Sequence, residues 1–103
     1  MAGQAINVNA ADADSLYNTA GILYANGDLI GAERELRETI KVNPSHADAH
    51  LNLGTVIRAK RDLEGAEREY REGIKLNPSS AKAHFYLGLI LMAKGYLEGA
   101  ERE

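Results

Sequence analysis

The sequence predicts an all-α protein, a solenoid of stacked antiparallel helix hairpins, and three observations predict it. The first is a repeat at an offset of 34 residues. Asp28-Leu29-Ile30-Gly31-Ala32-Glu33-Arg34-Glu35 returns as Asp62-Leu63-Glu64-Gly65-Ala66-Glu67-Arg68-Glu69 and again as Tyr96-Leu97-Glu98-Gly99-Ala100-Glu101-Arg102-Glu103. Residues 13–46 and 47–80 agree at 18 of 34 positions, and 47–69 and 81–103 at 14 of 23, a period that marks stacked supersecondary units. The second is that apolar residues inside each unit recur at helical spacing. The third is punctuation: each apolar run ends in residues that stop one helix and start the next.

Residues 1–12 precede the first unit and read as an N-terminal arm or tag remnant. Unit 1 then covers 13–46, unit 2 covers 47–80, and 81–103 form a partial third unit. A helix over 14–26 carries Leu16, Thr19, Ala20 and Leu23, and Asn26-Gly27-Asp28 breaks it, because Gly tolerates left-handed backbone and Asp28 can accept from the next helix's free amides. The second helix, 29–42, carries Leu29, Ala32, Leu36 and Ile40 on one face and stops at Asn43-Pro44, since proline disfavours helix in the residue before it. The same logic places helices at 48–60 (Leu53, Val56, Ile57), 63–76 (Leu63, Ala66, Tyr70, Ile74), 82–94 (Leu87, Ile90, Leu91) and 97–103, with breaks at Arg61-Asp62, Asn77-Pro78 and Lys94-Gly95. No strand is predicted. Ala20, Gly54 and Gly88 are expected where the two helices of a unit touch, so Gly54→Leu should destabilise and Gly54→Ala should cost little or help.

Composition narrows the function. A chain of 103 residues holds at most one compact domain, and 45% apolar with 26% charged residues is an ordinary balance. A net charge of -3 and an isoelectric point near 5.6 argue against affinity for phosphate backbones. Without cysteine there is no disulfide, thiolate chemistry or cysteine-ligated zinc. The first ten residues have neither a basic region nor a long apolar run, so they support neither a signal peptide nor a membrane span, which favours the cytoplasm without deciding localisation.

No catalytic constellation stands out, and no cofactor or metal site is expected. The second-helix carboxylates interleave with Arg34, Arg37, Arg68 and Arg71, and pairs such as Glu33–Arg37 and Arg34–Glu38 read as a solvated outer face. His50 and His84 share a unit position, but further metal ligands and a second shell are missing, so both read as packing residues with a polar edge and His46 as a turn residue. Gly31, Gly65 and Gly99 follow the repeat rather than a phosphate-cradling loop.

The unit positions resemble the tetratricopeptide repeat. Leu53-Gly54 and Leu87-Gly88, the alanines 32, 66 and 100, and prolines 44 and 78 fall where that signature has Leu-Gly, Ala and Pro. Leu16, His50 and His84 stand at its Trp position, Ala20 replaces one Gly, and the large aromatic is Leu36 or Tyr70. The resemblance covers residues 13–103 and implies a right-handed superhelical stack of three such units, the last truncated. It also implies a concave groove, lined by first helices, in which an extended peptide lies. Carried over by position, the lining is Asp14, Tyr17, Asn18, Gly21 and Tyr24 in unit 1. Unit 2 adds Asp48, Leu51, Asn52, Thr55 and Arg58, and unit 3 adds Lys82, Phe85, Tyr86, Leu89 and Met92.

That lining mixes aromatics with groups able to bond a peptide backbone. Some family members clamp a chaperone tail's terminal carboxylate with two Lys, two Asn and one Arg. Here Asn52 and Lys82 match, but Tyr17 replaces a Lys, Gly21 an Asn and Tyr86 the Arg, so that clamp is not expected. The resemblance thus implies a non-enzymatic module that binds a protein or peptide. Two alternatives remain: a fragment of a longer array that self-associates through its unfinished C-terminal end, or the arm of a larger enzyme.

Overall fold

Capping and apolar periodicity act locally as the sequence predicts in two of the three units. The computed structural model describes residues 2–102, with side chains from Asp12 to Gly99. It contains five helices: α1 (Ala2–Ala25), α2 (Leu29–Val42), α3 (Ala47–Ala59), α4 (Leu63–Leu76) and α5 (Ala81–Arg102). No strand occurs among the described residues. Asp28 and Asp62 cap α2 and α4 by accepting from the amides of Gly31 (2.8 Å) and Gly65 (2.9 Å). The residue before each cap is left-handed: Gly27 at φ 84° without steric cost, and Arg61 at φ 71°, where a side chain makes that conformation unfavourable. Asn43 and Asn77 end α2 and α4, each amide bonding back to Thr39 or Gly73.

Neighbours in the chain are neighbours in space, α1 on α2, α2 on α3, α3 on α4 and α4 on α5. The hairpin α3–α4 is antiparallel, since going up α3 through Leu51, Gly54 and Ile57 the contacts descend α4 through Gly73, Tyr70 with Ala66, and Gly65. Its core holds Leu51, Leu53, Val56, Ala66 and Tyr70, joined by Leu36 from α2 and Ile90 from α5, each at most 2% exposed. Burial of this continuous apolar strip, rather than any one hairpin, stabilises the stack.

Two expectations about helix limits are corrected. The break at Lys94-Gly95 does not form, and α5 passes straight through it to Arg102. Units 1 and 2 place Asp at the cap position, whereas unit 3 has Tyr96, which cannot accept from the following amides. Continuing the helix then satisfies more backbone groups than turning would. At the other end α1 extends back to Ala2 rather than starting at Asp14, because the alanine-rich stretch Ala5–Ala13 contains no Gly or Pro to interrupt it. The side chains of residues 2–11, in the expected arm, lie outside the described ones.

Close helix contact at the small residues holds at Ala20, 2% exposed, and at Gly54. At Gly88 it does not: a Cβ there would meet nothing within 4 Å. At Gly54 the contact is tighter than expected. A Cβ would lie 2.8 Å from Cε1 of the fully buried Tyr70 ring, so the expectation that Gly54→Ala is tolerated is also corrected.

On the outer face Glu33 pairs with Arg37 (2.9 Å), as the four-residue spacing predicts. Arg34 reaches Glu35 at 3.5 Å and Glu38 pairs with Lys41 instead of with Arg34, an i,i+3 alternative on the same exposed surface. Unforeseen were the pairs that cross between units. Lys60 donates to Glu33 and Lys94 to Glu67, both at 2.7 Å, one repeat apart.

Candidate peptide-binding groove

The first helices α1, α3 and α5 contribute to one face, and its floor holds a cavity of about 200 Å3. Ala20, Gly21 and Tyr24 line it from α1, Leu36 from α2, Asn52, Thr55 and Val56 from α3, and Tyr86 from α5. The repeat explains the space. Unit 2 fills the corresponding point with Thr55 and Tyr70, whose hydroxyls are 2.9 Å apart, whereas unit 1 has Gly21 and Leu36 there. With its own proton given to the Leu51 carbonyl (3.2 Å), Thr55 Oγ1 accepts from the Tyr70 phenol. Burial pushes that phenol above its ordinary titration range.

Around the cavity the polar groups are partly committed. Asn52 Nδ2 donates to the Tyr17 phenol oxygen (3.0 Å), linking α3 to α1, and the Tyr17 ring stacks against His46 with centroids 4.6 Å apart. Tyr86 lies 5.5 Å from the Tyr70 ring and 6.1 Å from Phe85, with the Arg58 guanidinium 5.9 Å above it. This cation–π contact fixes Arg58 along the rim.

The structure therefore divides the positions drawn from the resemblance. Tyr24, Asn52, Thr55 and Tyr86 meet at the cavity, with Tyr17 and Arg58 supporting them. Asp14, Asn18, Asp48, Lys82 and Phe85 are exposed around this face. Leu51 is 2% exposed and packs against Gly73 inside the α3–α4 hairpin, so it does not reach the groove. Leu89 and Met92 line a separate apolar depression with Ala93, Tyr96 and Leu97. Sequence reasoning did not identify Ala20, Leu36 and Val56 as cavity walls; comparing units 1 and 2 for lost side-chain volume at Gly21 and Leu36 would have pointed there.

The histidines act in the scaffold. His46 caps α3 by accepting from Ala49 N (3.0 Å), and Ser80 takes that role for α5. His50 and His84 each donate from Nε2 to the carbonyl of the proline six residues earlier, at 3.3 and 2.9 Å, and His50 Nδ1 also meets Glu69 (2.9 Å). No cluster of His, Cys, Asp or Glu able to hold a metal occurs among the described residues, nor is any described helix long and apolar enough to cross a membrane.

With repeat, hairpins and groove in place, comparison with known proteins is decisive. A profile described as Tetratricopeptide repeat matches residues 23–72, and one described as TPR repeat matches 56–95. The chain belongs to the tetratricopeptide repeat family. No curated protein matches it across its sequence. Among solved structures, it is similar to a Thermobaculum terrenum O-GlcNAc transferase mutant, at 27% identity and TM-score 0.81 over 87% of this chain and 17% of that one. MamA is 24% identical with TM-score 0.79, covering 87% of this chain and 53% of MamA. The first TPR of Spaghetti (RPAP3), bound to the HSP90 peptide SRMEEVD, is 24% identical with TM-score 0.75, covering 78% and 64%. The chain thus spans about a sixth of the transferase chain and less than two thirds of the other two. The last two likenesses show the tetratricopeptide fold.

Proposed function

We propose that this tetratricopeptide chain is a non-enzymatic interaction module that binds an extended segment of a protein partner along the α1–α3–α5 face and seats one apolar side chain in the unit 1 cavity. The cavity carries this reading. At about 200 Å3 it is below the roughly 300–1,000 Å3 of small-molecule and cofactor pockets. It is nevertheless several times the roughly 30 Å3 that one water occupies. Its walls are chiefly aliphatic and aromatic, while Asn52, Thr55 and the Tyr24 phenol provide polar groups for a peptide backbone. Tetratricopeptide repeats are generally protein-interaction modules, and the peptide held by the RPAP3 domain supports the class of partner. It does not support the same chemistry, because Tyr17 and Tyr86 stand where the carboxylate clamp has cations and both are engaged within the protein.

The test is Gly21→Leu. A Cβ at Gly21 meets nothing within 4 Å, so the added side chain fills the cavity without displacing the helix. On an array of random-sequence peptides, the wild-type chain is expected to select a set sharing an apolar anchor. The variant is expected to lose that set at unchanged helicity, while Glu35→Ala, Arg37→Ala and Arg71→Ala together, on the outer face, retain it. Loss with the outer-face changes and retention with Gly21→Leu would overturn the reading.

A further inference from the structure

Charge is not spread evenly around the groove. Tyr24, Arg58 and Met92 share one unit position near the C-terminal ends of the first helices, and of these Arg58 alone is charged. Ten residues earlier, about 15 Å along each helix, stand Asp14, Asp48 and Lys82, all exposed. One edge of the groove is therefore acidic across α1 and α3, while the other carries a cation on α3.

Arg58 is half-buried, held over the Tyr86 ring at 5.9 Å from its centroid. Lys60, just past α3, is tied to Glu33, and Lys94 on α5 to Glu64 and Glu67, but no carboxylate pairs with Arg58 among the described residues. Asp62, the nearest acid in sequence, is turned to the Gly65 amide (2.9 Å). Burial raises the Tyr70 phenol and the Arg58 charge opposes that rise, so its field reaches the Thr55–Tyr70 hydroxyl pair on the cavity wall. A guanidinium held over a ring keeps its in-plane N–H donors for a planar acceptor, and the two oxygens of a carboxylate match that fork. Lys82, by contrast, is exposed, where solvent and salt screen its charge.

From this we infer that the bound segment carries an Asp or Glu on the α5 side of its apolar anchor, and that Arg58, steadied by Tyr86, receives the carboxylate. The inference rests on the groove reading above and adds a second recognition point to it. Gly21 and Tyr24 of α1 with Thr55 of α3 place the opening between α1 and α3, whereas Arg58 and Tyr86 bridge α3 and α5. The two points are therefore about one helix spacing apart, roughly 8–10 Å. At about 3.3 Å per residue of extended chain, the acid falls two or three residues from the anchor. Asp14 and Asp48 repel an acid at the opposite edge, which leaves the Arg58 side as the favourable one.

The array of random-sequence peptides tests this directly. Among peptides sharing the apolar anchor, the wild-type chain is expected to enrich Asp or Glu two or three residues to one side of it, and the enrichment to fade as salt is raised. Arg58→Gln is expected to keep the anchor and lose the acid, binding an acid-bearing peptide about three- to tenfold more weakly at unchanged helicity. Arg58→Glu should turn the preference at that offset to Lys or Arg, which a merely structural arginine would not do. An anchored set without the acid overturns this proposal alone. So does an acid preference that survives Arg58→Gln and is lost with Lys82→Gln instead. A wild-type set without any apolar anchor overturns the groove reading and this proposal with it.

Discussion

Gly54 and Tyr70 form one packing decision shared by two residues. Unit 1 solves the same position with Ala20 and Leu36, a larger small residue against a smaller large one, and both solutions are buried. Gly54→Ala is therefore expected to destabilise the chain by about 1–3 kcal/mol through overpacking, although alanine is the better helix former. Adding Tyr70→Leu should recover part of that loss by restoring the unit 1 pair. A double-mutant cycle on thermal or urea unfolding measures the coupling; additive effects would mean that the ring and the glycine do not meet. The sequence displayed both pairs, but contact direction across a hairpin was needed to see that the ring lies over the glycine itself. Leu51 teaches the converse, since its unit position places it in a family groove whereas its contact with Gly73 places it in the core.

At the level of elements, the caps decide where helices begin. Asp62→Ala removes the acceptor for the Gly65 amide and is expected to cost about 1 kcal/mol, a loss visible in the urea midpoint, with Asp28→Ala behaving alike. Four helix–turn boundaries were legible because Asp, Asn and Pro act through neighbouring backbone groups, within reach of local sequence. The fifth was misread. Lys94-Gly95 looks like a turn by composition, and the absence of an acceptor at Tyr96 outweighs that appearance. Likewise, periodicity placed Leu91 on an apolar stripe without showing that it stays 43% exposed.

Across the whole molecule, the unit-to-unit ion pairs link stability to pH. The bond from Lys60, with Arg37 beside it, holds the Glu33 carboxyl below its ordinary value of 4.5, and Lys94 with Arg71 does the same for Glu67. Depressed folded-state values contribute stability that is present above the unfolded value and is lost as pH falls through the folded one. Lys94 is shifted upward by Glu64 and Glu67, so its share is present below the ordinary lysine value and fades only in strong alkali. Urea midpoints taken from about pH 6 down to about pH 3 are expected to fall more steeply for the wild-type chain than for Glu33→Gln/Glu67→Gln. The difference should shrink in high salt, which screens such exposed pairs. Equal slopes would show that the pairs form without stabilising the fold. These bridges were not legible because their partners are 27 residues apart and meet only once units stack.

The missing volume at Gly21 and Leu36 has a consequence for how an extended ligand would be held. A surface that repeats perfectly offers a bound strand several equivalent placements, each shifted by one unit, and contact energy alone cannot choose among them. Because unit 2 fills with Thr55 and Tyr70 what unit 1 leaves open, that translational degeneracy is broken at a single point. A side chain dropped into the opening acts as a key that sets the reading frame of everything bound downstream of it.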